Sequence, residues 1–231
     1  MFGPARFIIS LLAIVTLGSC ISCSVKKDYA ATRVVNDGVV ISVRDQELAV
    51  VRSGKIVKKF PVSTSKFGLG DTKGSYKTPV GTHTIAKKIG ERQPKGMVFK
   101  SRKPTGETIA PDSPGRDPIV SRILWLRGHE NQNRNAFSRL IYIHGTAEER
   151  LIGQPASYGC IRMKSDDVCE AFDLMQKGDV VVIERCSISR SMEALHNSIK
   201  GEEILKEQPT KATAKTSSKK QSRNRNELKE V

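Results

Sequence analysis

The sequence predicts a mainly β domain, with mixed sheets and one main helix. Three observations carry that prediction. Short β-branched and apolar runs recur through residues 38–183, divided by Gly, Pro and Ser turn signals. Those runs have no helical period. Within that span only the segment after Ser165 shows an apolar stripe at helical spacing, through Val168, Ala171, Phe172 and Met175.

The elements follow in order. Residues 39–43, VVISV, and 48–51, LAVV, are β-branched runs, and Ser53-Gly54 turns the chain into a third strand over 56–62. These three read as an antiparallel meander. Residues 61–88 form a long loop punctuated by Gly68, Gly70, Gly74, Pro79 and Gly81, closing on an alternating strand at 82–87. Its spacing fits neither the phosphate-cradling loop nor the dinucleotide fingerprint, so it reads as turn chemistry. His83 lies in the strand as a packed or surface residue, and His129 reads as a solvated loop residue. Residues 100–122 read as an irregular surface loop and 123–126 as a strand carrying the only tryptophan, Trp125. Leu140 to Ile143 reads as a buried strand ending at His144. Residues 157–160 are a tight glycine turn that leads into the helix, capped by Ser165 with Asp166 and Asp167 at its positive end. Residues 180–183 form the last strand. Beyond Cys186, residues 191–206 have a loose amphipathic pattern broken by Gly201, and 209–231 are too polar to fold alone.

A length of 231 residues allows one domain with tails, and the net charge of +15 is strongly basic. The Lys and Arg residues are scattered, without zinc-finger spacing or an arginine-rich helix, and aromatics make up 5%. These features argue against nucleic acid as a partner. The N-terminus explains the charge better, as part of an exported protein near anionic polymers or membranes. Arg6 precedes the apolar run 7–18, which reads as a secretory signal and is too short for a comfortable membrane span. Leu17-Gly18-Ser19-Cys20 resembles a bacterial lipoprotein box, which implies lipidation of Cys20. The competing reading is an ordinary cleaved signal. The organisation is therefore a signal at 1–19, a tether at 20–37, a compact domain at 38–186 and a helical or disordered basic tail at 187–231. Five cysteines are an odd number for an exported chain, which points to a free or modified thiol. Cys169 and Cys186 read as packing residues, a bridge between them being the alternative.

Residues 141–163, IYIHGTAEERLIGQPASYGCIRM, hold the chemistry. His144 and Cys160 stand 16 positions apart, each beside a glycine. A thiol attacks as thiolate, and an adjacent imidazole supplies the base. The segment HGT…SYGCIRM resembles the signature of the L,D-transpeptidase catalytic domain, the YkuD type. The upstream PVSTS…KTPVGTHTI resembles that family's loop ending in Thr-Pro-x-Gly. The resemblance covers about residues 38–183 and departs at Tyr158, where the family usually has histidine.

The resemblance implies a β-sandwich, and a transpeptidase that takes tetrapeptide stems of peptidoglycan and forms 3→3 cross-links or attaches proteins to the wall. It implies Cys160 as nucleophile, His144 as base and the Gly145 carbonyl as the group that orients the imidazole. The backbone N–H groups of Tyr158, Gly159 and Cys160 are candidates for the oxyanion hole. Arg162 and Ser157 are candidates for substrate binding, although Ser157 also suits a bond within the turn and Arg162 a role in shaping the pocket. A position at a helix start would lower the Cys160 pKa. No metal or other cofactor is required by a thiol and an imidazole. The expected location is the cell envelope or periplasm. A wall hydrolase of the NlpC/P60 type places cysteine before histidine, the reverse of this order. A carboxypeptidase or a hydrolase of the same fold that detaches wall-bound protein, and a non-catalytic wall-binding lipoprotein, are the other rivals.

Overall fold

A computed structural model of the protein describes residues 37–207. The stretches expected to be a signal and a tether, Cys20 among them, and the polar end after residue 207 lie outside the described residues. Among the described residues ten strands form one mixed sheet. The meander at the start is β1 (Gly38–Ser42), β2 (Glu47–Arg52) and β3 (Lys55–Pro61), paired antiparallel. β10 (Val180–Glu184) lies parallel to β1 and antiparallel to β4 (Gly81–Ile89). β7 (Ile119–Gly128) joins the two halves of the sheet by pairing with β4, with β5 (Met97–Lys100) and with β8 (Tyr142–Thr146). β9 (Ile161–Met163) runs parallel to β8.

The β-branched runs that mark β1, β2 and β10 are buried on both faces, and the structure supplies a partner for each. One face sends Val39, Ile41, Leu48 and Val50 into a core shared with Leu124, Leu126, Ile143 and Ile161 and with α1 (Ser165–Leu174). The sheet therefore closes on itself as a sandwich. The other face, through Val40, Ala49, Val51 and Val182, is covered by Ile188, Leu195 and Ile199 of α2 (Ile188–Glu207). This helix begins before the amphipathic stretch read from the sequence and runs through Gly201. It packs on the sheet, so the folded unit extends past Cys186. Burial of its apolar stripe outweighs the roughly 1 kcal/mol that an interior glycine costs a helix.

Three further corrections concern local structure. Residues 103–108, within the expected loop, form β6 (Lys103–Thr108), an exposed strand paired with β5. Pro104 and Gly106 hide it from a propensity reading, yet an outermost strand tolerates a missing N–H. Leu140 lies outside the buried strand, at φ 61° and exposed. Ser165 is the first residue of α1 and provides no cap; its N–H donates to the Glu149 carboxylate at 2.8 Å. Cys160, Cys169 and Cys186 are free thiols.

His83 is fully buried, with Nδ1 2.9 Å from the Gly81 carbonyl and Nε2 without a partner among the described residues. Burial pulls its pKa down to about 4. The folded state therefore prefers the uncharged ring. Its stabilising contribution is complete above the unfolded value near 6.5 and is lost as pH falls from there through about 4. The His83→Asn variant should show a shallower loss of thermal stability over that window, by up to about 1.4 kcal/mol per pH unit. An unchanged slope would rule out His83 as a contributor.

Candidate active site

The site forms where two distant segments meet. The loop after β3 runs beside the cysteine turn: Ser63 and Arg162 exchange backbone hydrogen bonds at 2.9 Å each way. The Ser157 N–H donates to the Thr64 carbonyl at 3.0 Å, and the Lys66 N–H to the Ser157 carbonyl at 3.1 Å. Thr78, of the Thr-Pro-x-Gly stretch, is buried, and its Oγ1 donates to the Gly159 carbonyl at 3.0 Å. The two sequence motifs are thus halves of one hydrogen-bonded unit. Gly159 has φ 117°, and a Cβ there would lie 3.2 Å from the Lys77 carbonyl oxygen, so the turn favours glycine on both counts.

Cys160 immediately precedes β9, and α1 starts only at Ser165. The expected helix N-terminus beside the thiol is therefore replaced by a short strand. The thiol packs against the cluster that contains Tyr142, accepts the Tyr142 N–H at 3.4 Å and donates to the Leu140 carbonyl at 3.4 Å. Burial pushes its pKa up to about 11, the Tyr142 N–H and the charge of Arg139 opposing that rise. This reverses the expectation of a lowered value.

His144 lies two residues beyond Tyr142 on β8 and projects from the same face of the strand. The ring is buried, with Nδ1 2.8 Å from the Gly145 carbonyl. That contact fixes Nδ1 as the donor in the neutral ring and leaves Nε2 a lone pair. Burial draws the His144 pKa down to about 4. Cysteine and histidine are accordingly both neutral at pH 7, with no hydrogen bond between them. Gly145 has a second function: a Cβ there would stand 2.6 Å from the Val120 carbonyl oxygen, so glycine lets β8 approach β7.

Two expected substrate contacts are redirected. The Arg162 guanidinium is buried and paired with Asp117 and, at 3.0 Å, with Glu148; it also donates to the Ala156 carbonyl at 3.3 Å. It is a structural clamp rather than a free carboxylate receptor. Ser157 is buried; its Oγ donates to the Cys160 carbonyl at 2.5 Å and accepts the Gly159 N–H at 3.2 Å. Ser157 thus braces the turn, and the Gly159 N–H is engaged there, so of the three expected oxyanion-hole N–H groups those of Tyr158 and Cys160 are the ones not bound to Ser157.

The thiol opens on a pocket of about 370 Å³ lined by Lys73, Tyr76, Arg139, Ile141 and Tyr158 among others. Tyr76, Arg139 and the Leu140 carbonyl escape a sequence reading. A left-handed φ of 57° at Tyr76 and 61° at Leu140 is invisible in side-chain identity, and Tyr76 lies 84 positions from Cys160.

A family model described as the L,D-transpeptidase catalytic domain, YkuD, matches residues 36–183. This chain belongs to that family. Among curated proteins, "Putative L,D-transpeptidase YqjB" of Bacillus subtilis (strain 168) is 29% identical over 145 residues, covering 63% of this chain and 69% of the relative. Among solved structures, an L,D-transpeptidase from Mycobacterium smegmatis is 19% identical, with a TM-score of 0.41, covering 65% of this chain and 59% of that one. L,D-transpeptidase 3 from Mycobacterium tuberculosis, in complex with a faropenem-derived adduct, is 18% identical, with a TM-score of 0.42, covering 65% and 60%. The chain spans about three-fifths of the length of these two solved chains. Within the L,D-transpeptidase domain of this chain, the matched span runs from before β1 into β10 and takes in both halves of the site.

Proposed function

We propose that the protein is a peptidoglycan L,D-transpeptidase with Cys160 as nucleophile and His144 as base. The observation that carries this reading is the Nδ1 contact of His144 with Gly145 O, which fixes the tautomer able to accept a proton at Nε2, on the strand that flanks the thiol. The donor is a tetrapeptide stem. Cys160 Sγ attacks the carbonyl carbon between the third residue and the terminal D-alanine, and the thiol proton passes to His144 Nε2. The Tyr158 and Cys160 N–H groups stabilise the oxyanion. Collapse breaks the C–N bond, the imidazolium returns its proton to the departing D-alanine amine, and a thioester remains. An acceptor amine then attacks the thioester, gives its proton to His144 and releases the thiolate, which is reprotonated. The thiol's high pKa makes the thiolate–imidazolium pair a species formed only along the reaction path.

We further propose that the protein is exported to the cell envelope, held at a membrane by lipid on Cys20, and able to use a wall-linked protein as acceptor. The activity is tested by incubating protein lacking residues 1–23 with tetrapeptide muropeptides. A cross-linked dimer with released D-alanine is expected. Tripeptide alone would assign a carboxypeptidase, and unchanged substrate would overturn the enzymatic reading.

A further inference from the structure

Six large apolar side chains stand out as exposed among the described residues, and four of them, Phe67, Tyr76, Leu140 and Tyr158, gather around the Cys160 pocket. Phe67, Tyr76 and Tyr158 form a triangle of rings with centroids 5.6–5.9 Å apart. Such a concentration of exposed apolar surface marks an interaction site. Lys66 sits on it. Its Nζ lies 4.3 Å from the centre of the Tyr158 ring and 5.4 Å from that of Phe67, and donates to the Tyr158 hydroxyl at 3.0 Å. Among the described residues no carboxylate pairs with Lys66, whereas the buried Arg139 is neutralised by Asp71 at 3.0 Å.

We propose that Lys66 and Tyr158 form a carboxylate-anchoring subsite at the lip of the Cys160 pocket, with Phe67 and Tyr76 as its apolar walls. Because the phenol oxygen accepts one ammonium proton, its own O–H remains free to donate outward, beside two further N–H bonds of the ammonium. The result is a pair of adjacent donors carrying one positive charge, a match for the two oxygens of a carboxylate. The neighbouring rings of Phe67 and Tyr76 place apolar surface beside that charge, to be covered by the peptide once it binds. A cationic ligand is disfavoured by Lys66 itself and by Lys73, which also lines the pocket. A sugar ring stacked on Tyr158 would compete with the lysine already over that ring.

This inference rests on the transpeptidase reading, since it takes a peptidoglycan stem peptide as ligand. Two carboxylates share the required chemistry: the C-terminal one of the donor and one on the side chain of its third residue. The subsite explains how Tyr158 serves in a position where histidine is usual: its hydroxyl reaches a lysine from the other half of the site.

The test compares tetrapeptides that are free acids, amidated at the C-terminus, or amidated on the third side chain. Calorimetric titration into the Cys160→Ala protein reads binding without turnover. Lys66→Met and Tyr158→Phe should each lower the ratio of free-acid to amide affinity, Lys66→Met by about tenfold, the equivalent of about 1.4 kcal/mol. The amide that loses this dependence identifies the carboxylate. The same ratio should fall in kcat/KM when Cys160 is intact, through KM rather than kcat. Equal free-acid to amide ratios in the wild type and Lys66→Met would overturn the subsite. Turnover with no discrimination would remove this inference and leave the transferase reading. Discriminating binding without turnover would do the opposite.

Discussion

Replacing His144 with glutamine should slow acylation of Cys160 by about a thousandfold at pH 7, within the range that a positioned general base contributes. The thiol has a pKa of about 11, so only about one molecule in ten thousand holds a spontaneous thiolate at neutral pH. Proton removal must therefore accompany attack, and Nε2 of His144 is the group left able to perform it once Nδ1 is held by Gly145. The pH profile separates this role from a structural one. The His144 pKa is drawn down to about 4, so the wild-type rate should rise through pH 4 and then level off. The His144→Gln rate should keep climbing about tenfold per pH unit towards pH 11, as hydroxide replaces the missing base. A variant within about threefold of wild type at pH 7 would remove His144 from the reaction.

Loss of Arg162 should chiefly destabilise the protein. Removing one partner of a buried ion pair costs about 3–5 kcal/mol because the other charge stays without compensation. Asp117 and Glu148 are partly exposed, which places Arg162→Met at about 3 kcal/mol, the lower end of that range. The melting temperature should fall by about 6–12 °C for a domain of this size. Arg162 is also the register partner of His144 across β8 and β9, and Thr146 at the end of β8 donates to Asp117 at 2.5 Å. The clamp thus fixes the strand that carries the imidazole. A substrate-binding arginine would give another result, a raised KM with an unchanged melting temperature, which calorimetry together with kinetics would reveal.

Strands buried on both faces were legible in the sequence because β-branched runs such as Val39-Val40-Ile41 and Val180-Val181-Val182 have no other use. β6 was not, since a fully exposed strand with Pro104 and Gly106 carries no apolar pattern. β9 was hidden by its length: three residues between the glycine turn and α1 read as one turn running into a helix. That unread strand removed the helix start expected directly after the thiol, and burial then sets the direction of its pKa. The packing of α2 was hidden because its apolar residues have meaning only once the outer face of β1, β2 and β10 exists.

His144 and Cys160 could be singled out because both lie in one short motif. The groups around them could not. Leu140 contributes a carbonyl, Arg139 is placed by a bond to the Lys77 carbonyl at 2.7 Å, and Tyr76 and Lys66 arrive from the other half of the site. Arg162 carries the letter of a carboxylate receptor, and only its two acidic partners reveal a clamp.

The central claim is that Cys160 carries the acyl group from the stem. Intact-mass analysis of the protein, quenched in acid during turnover of a tetrapeptide donor, tests it most directly. The wild type should gain the mass of the donor less D-alanine, localised to the peptide that contains Cys160, and Cys160→Ala should gain nothing. An adduct that persists in Cys160→Ala, or D-alanine released by that variant at the wild-type rate, would contradict the account.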